Sequence, residues 1–208
     1  MAVQEIYEAV VHLDDSRIRE LVQAELDAGT AVSVILQDGL IGAMDEVGRR
    51  FSEGEMYVPE MLKAAQVMKE GLAIVKPLLT ESEVPSSGTV VMGTVKGDLH
   101  DIGKNLVAMM MEGGGFNVID LGVDQAAETF VQAAKEHQAD VIGISALLTT
   151  TMPAMEETVA LLRSTGVQAK ILVGGAPVTA GFAEKIGADG YGDDAPSAVR
   201  TAKELLLH

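Results

Sequence analysis

Short apolar runs alternate with helical patterns throughout residues 89–208, and this alternation restricts the fold more than any other feature of the chain. The middle run, Val141-Ile142-Gly143-Ile144, is apolar on both faces, as a parallel strand covered by helices requires. The candidate strands are Thr89–Thr94, Asn117–Leu121, Asp140–Ser145, Lys170–Val173 and, more weakly, Gly190–Tyr191. The helical patterns lie near 103–113, 125–137, 152–165, 178–186 and 195–207. The fold class predicted for this part is α/β, with five parallel, doubly wound strands in a Rossmann-like domain of the flavodoxin type.

The first 80 residues contain helical patterns only. The fourth and last of these begins at Pro59, a favoured residue for the first helical position. Its apolar positions step by four and three residues, which is typical of a bundle seam. These positions are Met61, Ala65, Met68, Leu72, Val75 and Leu79. We therefore predict a four-helix bundle over residues 1–80, a polar linker containing Pro and Gly over 81–88, and the α/β domain over 89–208.

Local signals refine the helix boundaries. Asp14 or Asp15 is expected to cap the second helix, and Gly29 to end it. The third helical stretch, from about Ser33 to Phe51, contains three glycines, which predict a close helix approach or a bend because glycine disfavours a helix. In the second half, Asp193 or Asp194 is expected to cap the last helix.

Composition and charge exclude several function classes. The chain of 208 residues has 15 Lys and Arg against 31 Asp and Glu, a net charge of −16, which argues against general nucleic-acid binding and against an anionic membrane surface. It contains no cysteine, which removes disulfides, iron–sulfur clusters and thiolate catalysis. The start of the sequence has no signal-peptide pattern, and no apolar stretch reaches the length of a membrane span, so we expect a cytoplasmic protein.

Ligands of doubly wound sheets bind beyond the carboxyl ends of the strands, so sites are expected just after residues 94, 145 and 173. The first of these loops, 96–105, places His100 between Asp98 and Asp101, and it has neither the dinucleotide fingerprint nor the P-loop spacing. A metal-ligating imidazole needs an acceptor for its second nitrogen, which Asp98 could supply. The alternative is a solvated loop with a surface histidine. A single histidine cannot hold a free metal ion, so any metal must bring its own equatorial ligands, as in a macrocycle.

Hydroxyl groups and glycines follow the other two strands. Ser145, Thr149, Thr150 and Thr151 lie after the third strand, where helix capping before Pro153 is the alternative to ligand binding. The pair Gly174-Gly175 follows the fourth strand, where it allows either a close approach to the backbone or a plain turn.

Together these pieces resemble a known signature. Asp98-x-His100-x-x-Gly103, then Ser145-x-Leu147, then Gly174-Gly175 is similar to the motif of the cobalamin-binding domain in its base-off, His-on form. The segment from Val47 to Glu60 resembles the helical cap domain of methionine synthase and of the corrinoid proteins of methanogenic and acetogenic methyltransferase systems. The resemblance covers nearly the whole chain.

The resemblance implies a role for each matched residue. His100 would be the lower axial ligand of cobalt in place of the dimethylbenzimidazole of the cofactor, Asp98 would bond its far nitrogen, and Gly103 would leave room for the nucleotide tail. In methionine synthase a serine completes a His-Asp-Ser relay; the equivalent residue here is Thr151, so the third member stays open. The implied cofactor-binding set is Asp98, His100, Gly103, Ser145, Leu147, Thr149, Thr151, Gly174 and Gly175.

The implied function is that of a corrinoid methyl carrier with no catalytic residues of its own. One partner, a substrate:corrinoid methyltransferase, would load a methyl group from methanol, a methylamine, a betaine or an aromatic methyl ether. A second methyltransferase would pass it to coenzyme M or tetrahydrofolate, and a reductive activase is a further possible partner. The donor, the acceptor, the oligomeric state and the cap residues that would contact the corrin are left open.

Three alternatives remain at this point. The chain could be the small subunit of an adenosylcobalamin isomerase, although those lack a cap of the Val47–Glu60 kind. It could be a cobalamin-binding sensor or regulator, although no helix-turn-helix or basic face is found. It could be a receiver or flavodoxin-like domain without a corrinoid, although a receiver needs an aspartate where this chain has Ser145.

Overall fold

A computed structural model describes residues 2–78 and 87–207 of the chain. The chain divides into two units, one of Met1–Ser86 with Gly113–Gly115 and the other of Ser87–Glu112 with Phe116–His208. Most of the predicted linker, 81–86, lies outside the described residues. Within the described part, no helix is long and apolar enough to cross a membrane.

Helices make up the first unit, as the sequence predicts. Helix α1 is Ala2–Val11 and α2 is Ile18–Asp27. Helix α3 covers residues 32–52 in three consecutive segments: Val32–Val34, a π-helical segment Ile35–Ile41, and Gly42–Ser52. Helix α4 is Val58–Val75 and continues into a 3₁₀ turn, Lys76–Leu78.

The glycines of α3 allow both a close approach and an irregular helix. A Cβ atom at Gly39 would lie 3.1 Å from the side chain of Ile6 in α1, and one at Gly42 would lie 3.1 Å from the carbonyl oxygen of Gln37. Gly39 belongs to the π-helical segment, and Gly42 follows it directly. The predicted close helix approach is therefore confirmed at Gly39.

Two of the predicted helix boundaries were wrong in detail. The N-cap of α2 is Arg17, not Asp14 or Asp15, because Asp14 accepts the hydroxyl of Ser16 and Asp15 pairs with Lys63. Pro59 is the second residue of α4, since Tyr57 is the N-cap. Gly29 does follow the end of α2, with φ of +82°. In the α4 seam, Leu72 is only half-buried, Leu79 lies outside the described residues, and the other positions are buried: Met61, Ala65, Met68 and Val75.

The second unit is the predicted α/β domain. Its strands are β1 Thr89–Thr94, β2 Asn117–Asp120, β3 Val141–Ser145, β4 Lys170–Gly174 and β5 Gly190–Gly192. Its helices are α5 Ile102–Gly113, α6 Ala127–Glu136, α7 Met152–Ser164, α8 Ala180–Ile186 and α9 Ala195–Leu206. All neighbouring strands are parallel, in the order β2-β1-β3-β4-β5, which confirms the flavodoxin-type sheet.

Aliphatic side chains dominate the core of this unit, with the ring of Phe130 among them. Val141 to Ile144 of β3 are buried, as a strand covered on both faces must be. Phe130 of α6 is fully buried against β1, and a Cβ atom at Gly93 would lie 2.8 Å from its ring. Gly93 therefore provides the space for the ring. Asp194 caps α9 by accepting the amide of Ser197 at 2.7 Å, as predicted.

Candidate functional site

The sheet brings the three predicted loops to one edge. Thr94, at the end of β1, is in register with Ser145 at the end of β3, and Ser145 is in register with Gly174 at the end of β4. Because all three strands are parallel, the loops that follow them lie side by side. Residues far apart in sequence therefore meet here.

Asp98 is the centre of this edge, and its side chain is fully buried. Its Oδ1 accepts the backbone amide of His100 at 3.1 Å and lies 2.7 Å from the ring Nδ1 of the same residue. Its Oδ2 accepts the amide of Leu147 at 2.7 Å and the hydroxyl of Thr151 at 2.8 Å. Each carboxylate oxygen thus has two partners, which is close to its full accepting capacity.

These hydrogen bonds keep Asp98 ionised. Burial alone would raise the pKa of its carboxyl group, because desolvation disfavours the charged form. The amide of Leu147, the ring and amide of His100 and the hydroxyl of Thr151 all stabilise the carboxylate and outweigh burial. The pKa of Asp98 therefore lies well below its ordinary value.

The ionised Asp98 determines how His100 can act. A carboxylate only accepts hydrogen bonds, so Nδ1 of His100 carries the proton of the neutral ring and donates a hydrogen bond to Asp98. In the neutral ring, Nε2 then has its lone pair free for a metal. The ring is half exposed, and the hydroxyl of Thr94 donates to the carbonyl of His100 at 3.0 Å. The loop thus presents one imidazole nitrogen outward.

Thr151 supplies the third member of this chain of hydrogen bonds. Its hydroxyl is buried and lies 2.8 Å from Asp98 Oδ2 and 2.9 Å from the carbonyl of Leu148. The hydroxyl has one proton, so it donates to one of the two at a time. The threonine methyl does not prevent the contact with Asp98 that the sequence left open.

Four large apolar side chains in the loops of this edge face solvent. Ile102 is 86% exposed and Leu99 is 72% exposed, on either side of His100 in sequence. Leu147 and Leu148, at the end of β3, are about 40% exposed. Soluble proteins seldom leave such large side chains open together unless a ligand or partner covers them.

The remaining predicted residues fall into three groups. Gly103 is exposed, and a Cβ atom there would meet no atom within 4 Å, so the space beside it is open. Ser145 is half-buried and Thr149 is exposed, both near the edge. Gly175 has φ of +128°, and its Cβ would lie 1.9 Å from the carbonyl oxygen of Ala146; a Cβ at Gly174 would lie 3.0 Å from that of Gly192. At Gly175 the turn itself requires glycine.

Sequence reasoning missed several contacts of the site. Leu147 holds Asp98 through its backbone amide, which no side-chain pattern reveals. The buried hydroxyl of Thr94 reads in sequence as an ordinary strand residue. Asp124 and the pair Lys104–Asp120 bind the His100 loop from the end of β2, although neither belongs to the recognised motif.

Comparison with known proteins identifies the family. Residues 88–200 match a family model described as a B12 binding domain, and residues 2–76 match a second model with the same description. The chain belongs to the B12-binding family. A corrinoid protein of Desulfitobacterium hafniense is 41% identical over 98% of this chain and 97% of its own length. A dimethylamine corrinoid protein of Methanosarcina acetivorans is 44% identical over 90% of this chain and 87% of its own length.

A solved structure supports the same assignment. In the methanol:cobalamin methyltransferase complex of Methanosarcina barkeri, one chain is 30% identical and superimposes with a TM-score of 0.88. The alignment covers 99% of this chain and 80% of that one. Membership of the B12-binding family sets aside the alternative of a receiver domain without a corrinoid.

The residues at the edge fit a corrinoid. His100 offers one nitrogen to a metal, and the described residues bring together no group of three histidine or acidic side chains that could hold a bare ion. A cobalt atom that carries its own macrocycle needs only that one protein ligand. The exposed apolar residues around His100 suit the macrocycle, and the open space at Gly103 suits a nucleotide tail.

Proposed function

We propose that this protein carries a methyl group on a corrinoid between two methyltransferases. The observation that supports this most strongly is the buried Asp98 carboxylate, which holds Nδ1 of a half-exposed His100 and leaves Nε2 unbound, in a loop that also exposes Leu99 and Ile102. When bound, a corrinoid supplies a cobalt centre that can accept and release a methyl group. The protein itself would supply the lower ligand and the exposed apolar side chains that the macrocycle would cover.

Each residue of the site has a defined task in this proposal. His100 would supply the lower ligand to the cobalt of a bound corrinoid, in place of the cofactor's own base. Asp98 fixes the tautomer and the orientation of the ring, and Thr151 with the Leu147 amide fixes Asp98.

Two classes of partner follow from a carrier function. A substrate:corrinoid methyltransferase would load the methyl group, and a methyl-corrinoid:acceptor methyltransferase would pass it to coenzyme M or tetrahydrofolate. A reductive activase would restore the carrier after oxidation. The names of the relatives include both dimethylamine and methanol, so a methylamine or methanol is the donor class to test first.

Reconstitution with methylcobalamin tests the proposal. The native protein should show the absorption spectrum of a corrinoid with a nitrogen lower ligand, and His100→Ala should shift it to that of a corrinoid without one. His137→Ala, which changes an exposed histidine just after α6, should leave the spectrum unchanged. An unchanged spectrum in His100→Ala would overturn the axial assignment.

The carrier function has its own test. Methylated protein should be produced from dimethylamine or methanol when the matching methyltransferase is added, and it should not form from the protein and substrate alone. If neither partner methylates a cobalamin-loaded protein whose spectrum shows His ligation, the protein binds the corrinoid for another purpose, such as sensing.

A further inference from the structure

The end of β2 and the segment that follows it contact the His100 loop on both sides of the histidine. On one side, the carboxylate of Asp124 accepts the backbone amide of Gly97 at 2.7 Å, and the amide of Asp124 donates to the carbonyl of Asp98 at 3.0 Å. Gly97 has φ of +83°, so this part of the loop is a tight turn. Asp124 therefore bonds the two residues of that turn that lead to His100.

On the other side, Lys104 joins the first turn of α5 to the last residue of β2. Its side chain is 1% exposed, and its ammonium group bonds both carboxylate oxygens of Asp120, at 2.7 and 2.6 Å. Its third acceptor is the side-chain oxygen of Asn105 at 2.7 Å. Three N–H donors thus meet three acceptors, and the buried charge is fully satisfied.

The sheet does not need these side-chain contacts for its own pairing. Backbone hydrogen bonds already join the two segments, from Thr94 to Gly122 and from Gln125 to Thr94. Asp124 adopts a left-handed backbone with φ of +54°, which aspartate does more often than most residues. With that backbone its carboxylate bonds the turn before His100, so Asp124 does more than connect β2 to α6.

We propose that Asp120 and Asp124 are positioning residues for His100. They hold the two flanks of its loop, so that Nε2 is in place before the corrinoid arrives. This inference rests on the proposed role of His100 as the lower ligand. A ligand atom that is already fixed loses less conformational entropy when it binds, and so it binds more tightly. The two carboxylates therefore shift the bound corrinoid towards the His-on state.

Asp124→Gly tests the first contact without adding strain. Glycine removes the bond to Gly97 but prefers the left-handed backbone, so the free energy of unfolding of the apo-protein should change little. The ratio of His-off to His-on corrinoid should rise about fivefold, which corresponds to the loss of one hydrogen bond of about 1 kcal/mol. Asp124→Asn keeps an acceptor oxygen and should restore the native ratio. Amide hydrogen exchange at 96–101 in the apo-protein should be faster in Asp124→Gly than in the native protein, and unchanged in Asp124→Asn.

Gln138→Gly is the matched control. Gln138 also has a left-handed backbone, with φ of +49°, and it is exposed at the opposite end of α6, just before β3. Like Asp124→Gly, it replaces a polar side chain with glycine at a left-handed backbone position, but it lies at the edge of the sheet remote from His100. Its spectrum and its exchange at 96–101 should both match the native protein.

Lys104→Met tests the second contact. Methionine fills the buried space, and Asp120, which is 39% exposed, can be hydrated, so the protein should fold. We expect the His-off to His-on ratio to rise by a similar factor, and to rise further in the double variant with Asp124→Gly.

The outcomes for His100 and for the two carboxylates can be told apart. If His100→Ala has the native spectrum, the role of His100 fails and the positioning role fails with it. If His100→Ala changes the spectrum but Asp124→Gly and Lys104→Met both keep the native ratio, His100 is the ligand and Asp120 and Asp124 are structural only. A lowered melting temperature with a native ratio would likewise overturn the positioning role.

Discussion

The hydroxyl of Thr151 lies 2.8 Å from Oδ2 of Asp98, on the carboxylate oxygen opposite the one that holds the ring of His100. Thr151 comes directly before α7, 53 residues after Asp98 in sequence, and the parallel pairing of β1 with β3 brings the two together. The methyl group of Thr151 faces Gly97, since a Cβ atom at that glycine would lie 3.9 Å from it. The hydroxyl therefore turns towards Asp98.

Removal of that hydroxyl should lower the free energy of unfolding, because Asp98 then loses a hydrogen-bond donor. In Thr151→Val the shape is kept, but buried Asp98 loses one of its four donors, so we expect a loss of about 1–3 kcal/mol in the free energy of unfolding. Thr151→Ser keeps the donor and loses one methyl group, and it should cost about 1 kcal/mol or less. Urea unfolding of the apo-protein checks both. Equal losses in the two variants would show that Thr151 acts by packing alone.

The order of the elements in the α/β unit could be predicted from the sequence because each strand is a short apolar run next to a helix-period pattern. The predicted Thr89–Thr94 agrees with β1, and β3 differs from its prediction by one residue. Burial sets these patterns, and the spacing of apolar residues along the sequence reports burial directly. The edge strand β5, Gly190–Gly192, gave only a weak signal because it has three residues and two are glycine.

The contacts that orient His100 could be predicted only in part. The bond from Asp98 to the ring is local, two residues away, and follows from the motif. The amide of Leu147 and the pairing of Lys104 with Asp120 depend on strand register, which the sequence does not state. The π-helical segment in α3 was also beyond prediction, since three glycines indicate irregularity without its form.

Gly103 and Gly175 should respond differently to the same substitution. A Cβ atom at Gly103 meets open space in the first turn of α5, so Gly103→Ala should leave the melting temperature of the apo-protein unchanged or slightly higher. If the nucleotide tail occupies that space, Gly103→Leu should weaken cobalamin binding at least tenfold, measured by equilibrium titration.

Gly175→Ala is the contrast. Its Cβ would lie 1.9 Å from the carbonyl oxygen of Ala146, and the backbone has a positive φ, so stability should fall before affinity does. Thermal unfolding of the apo-protein measures this. Normal stability with lost cobalamin affinity would instead assign Gly175 to the tail slot, as the resemblance implies.

Glu46 should make the helical unit sensitive to acid. Its carboxylate accepts hydrogen bonds from Arg49 and Arg50, which lower its pKa to about 2. Because the folded pKa is below the unfolded one, the stabilisation is present above the ordinary value of about 4.5 and is lost as the pH falls towards 2. The difference in the free energy of unfolding between the native protein and Glu46→Gln should therefore shrink over that range. Glu20→Gln, an exposed carboxylate of α2, is the control, and a difference independent of pH would contradict the prediction.

Asp98 and Asp101 provide the last test, because they flank His100 but differ in burial. Asp98 is fully buried with four hydrogen bonds, whereas Asp101 is exposed. Asn at position 98 would place an NH₂ group against donors, so Asp98→Asn should cost about 2–4 kcal/mol at pH 7 and should shift bound methylcobalamin to the His-off spectrum. Asp101→Asn should change stability by about 0.5 kcal/mol or less.

The difference in the free energy of unfolding between the native protein and Asp98→Asn should change with pH in a defined direction. The pKa of Asp98 in the folded protein is below its unfolded value of about 3.9, so the unfolded chain binds more protons between the two values. The stabilisation from the carboxylate is therefore complete above about pH 4 and decreases as the pH falls further. Denaturant unfolding of the native protein and Asp98→Asn at pH 7 and at pH 3 measures the change. A difference that grew on acidification would mean that Asp98 is protonated in the folded protein, and that the ring of His100 is held in some other way.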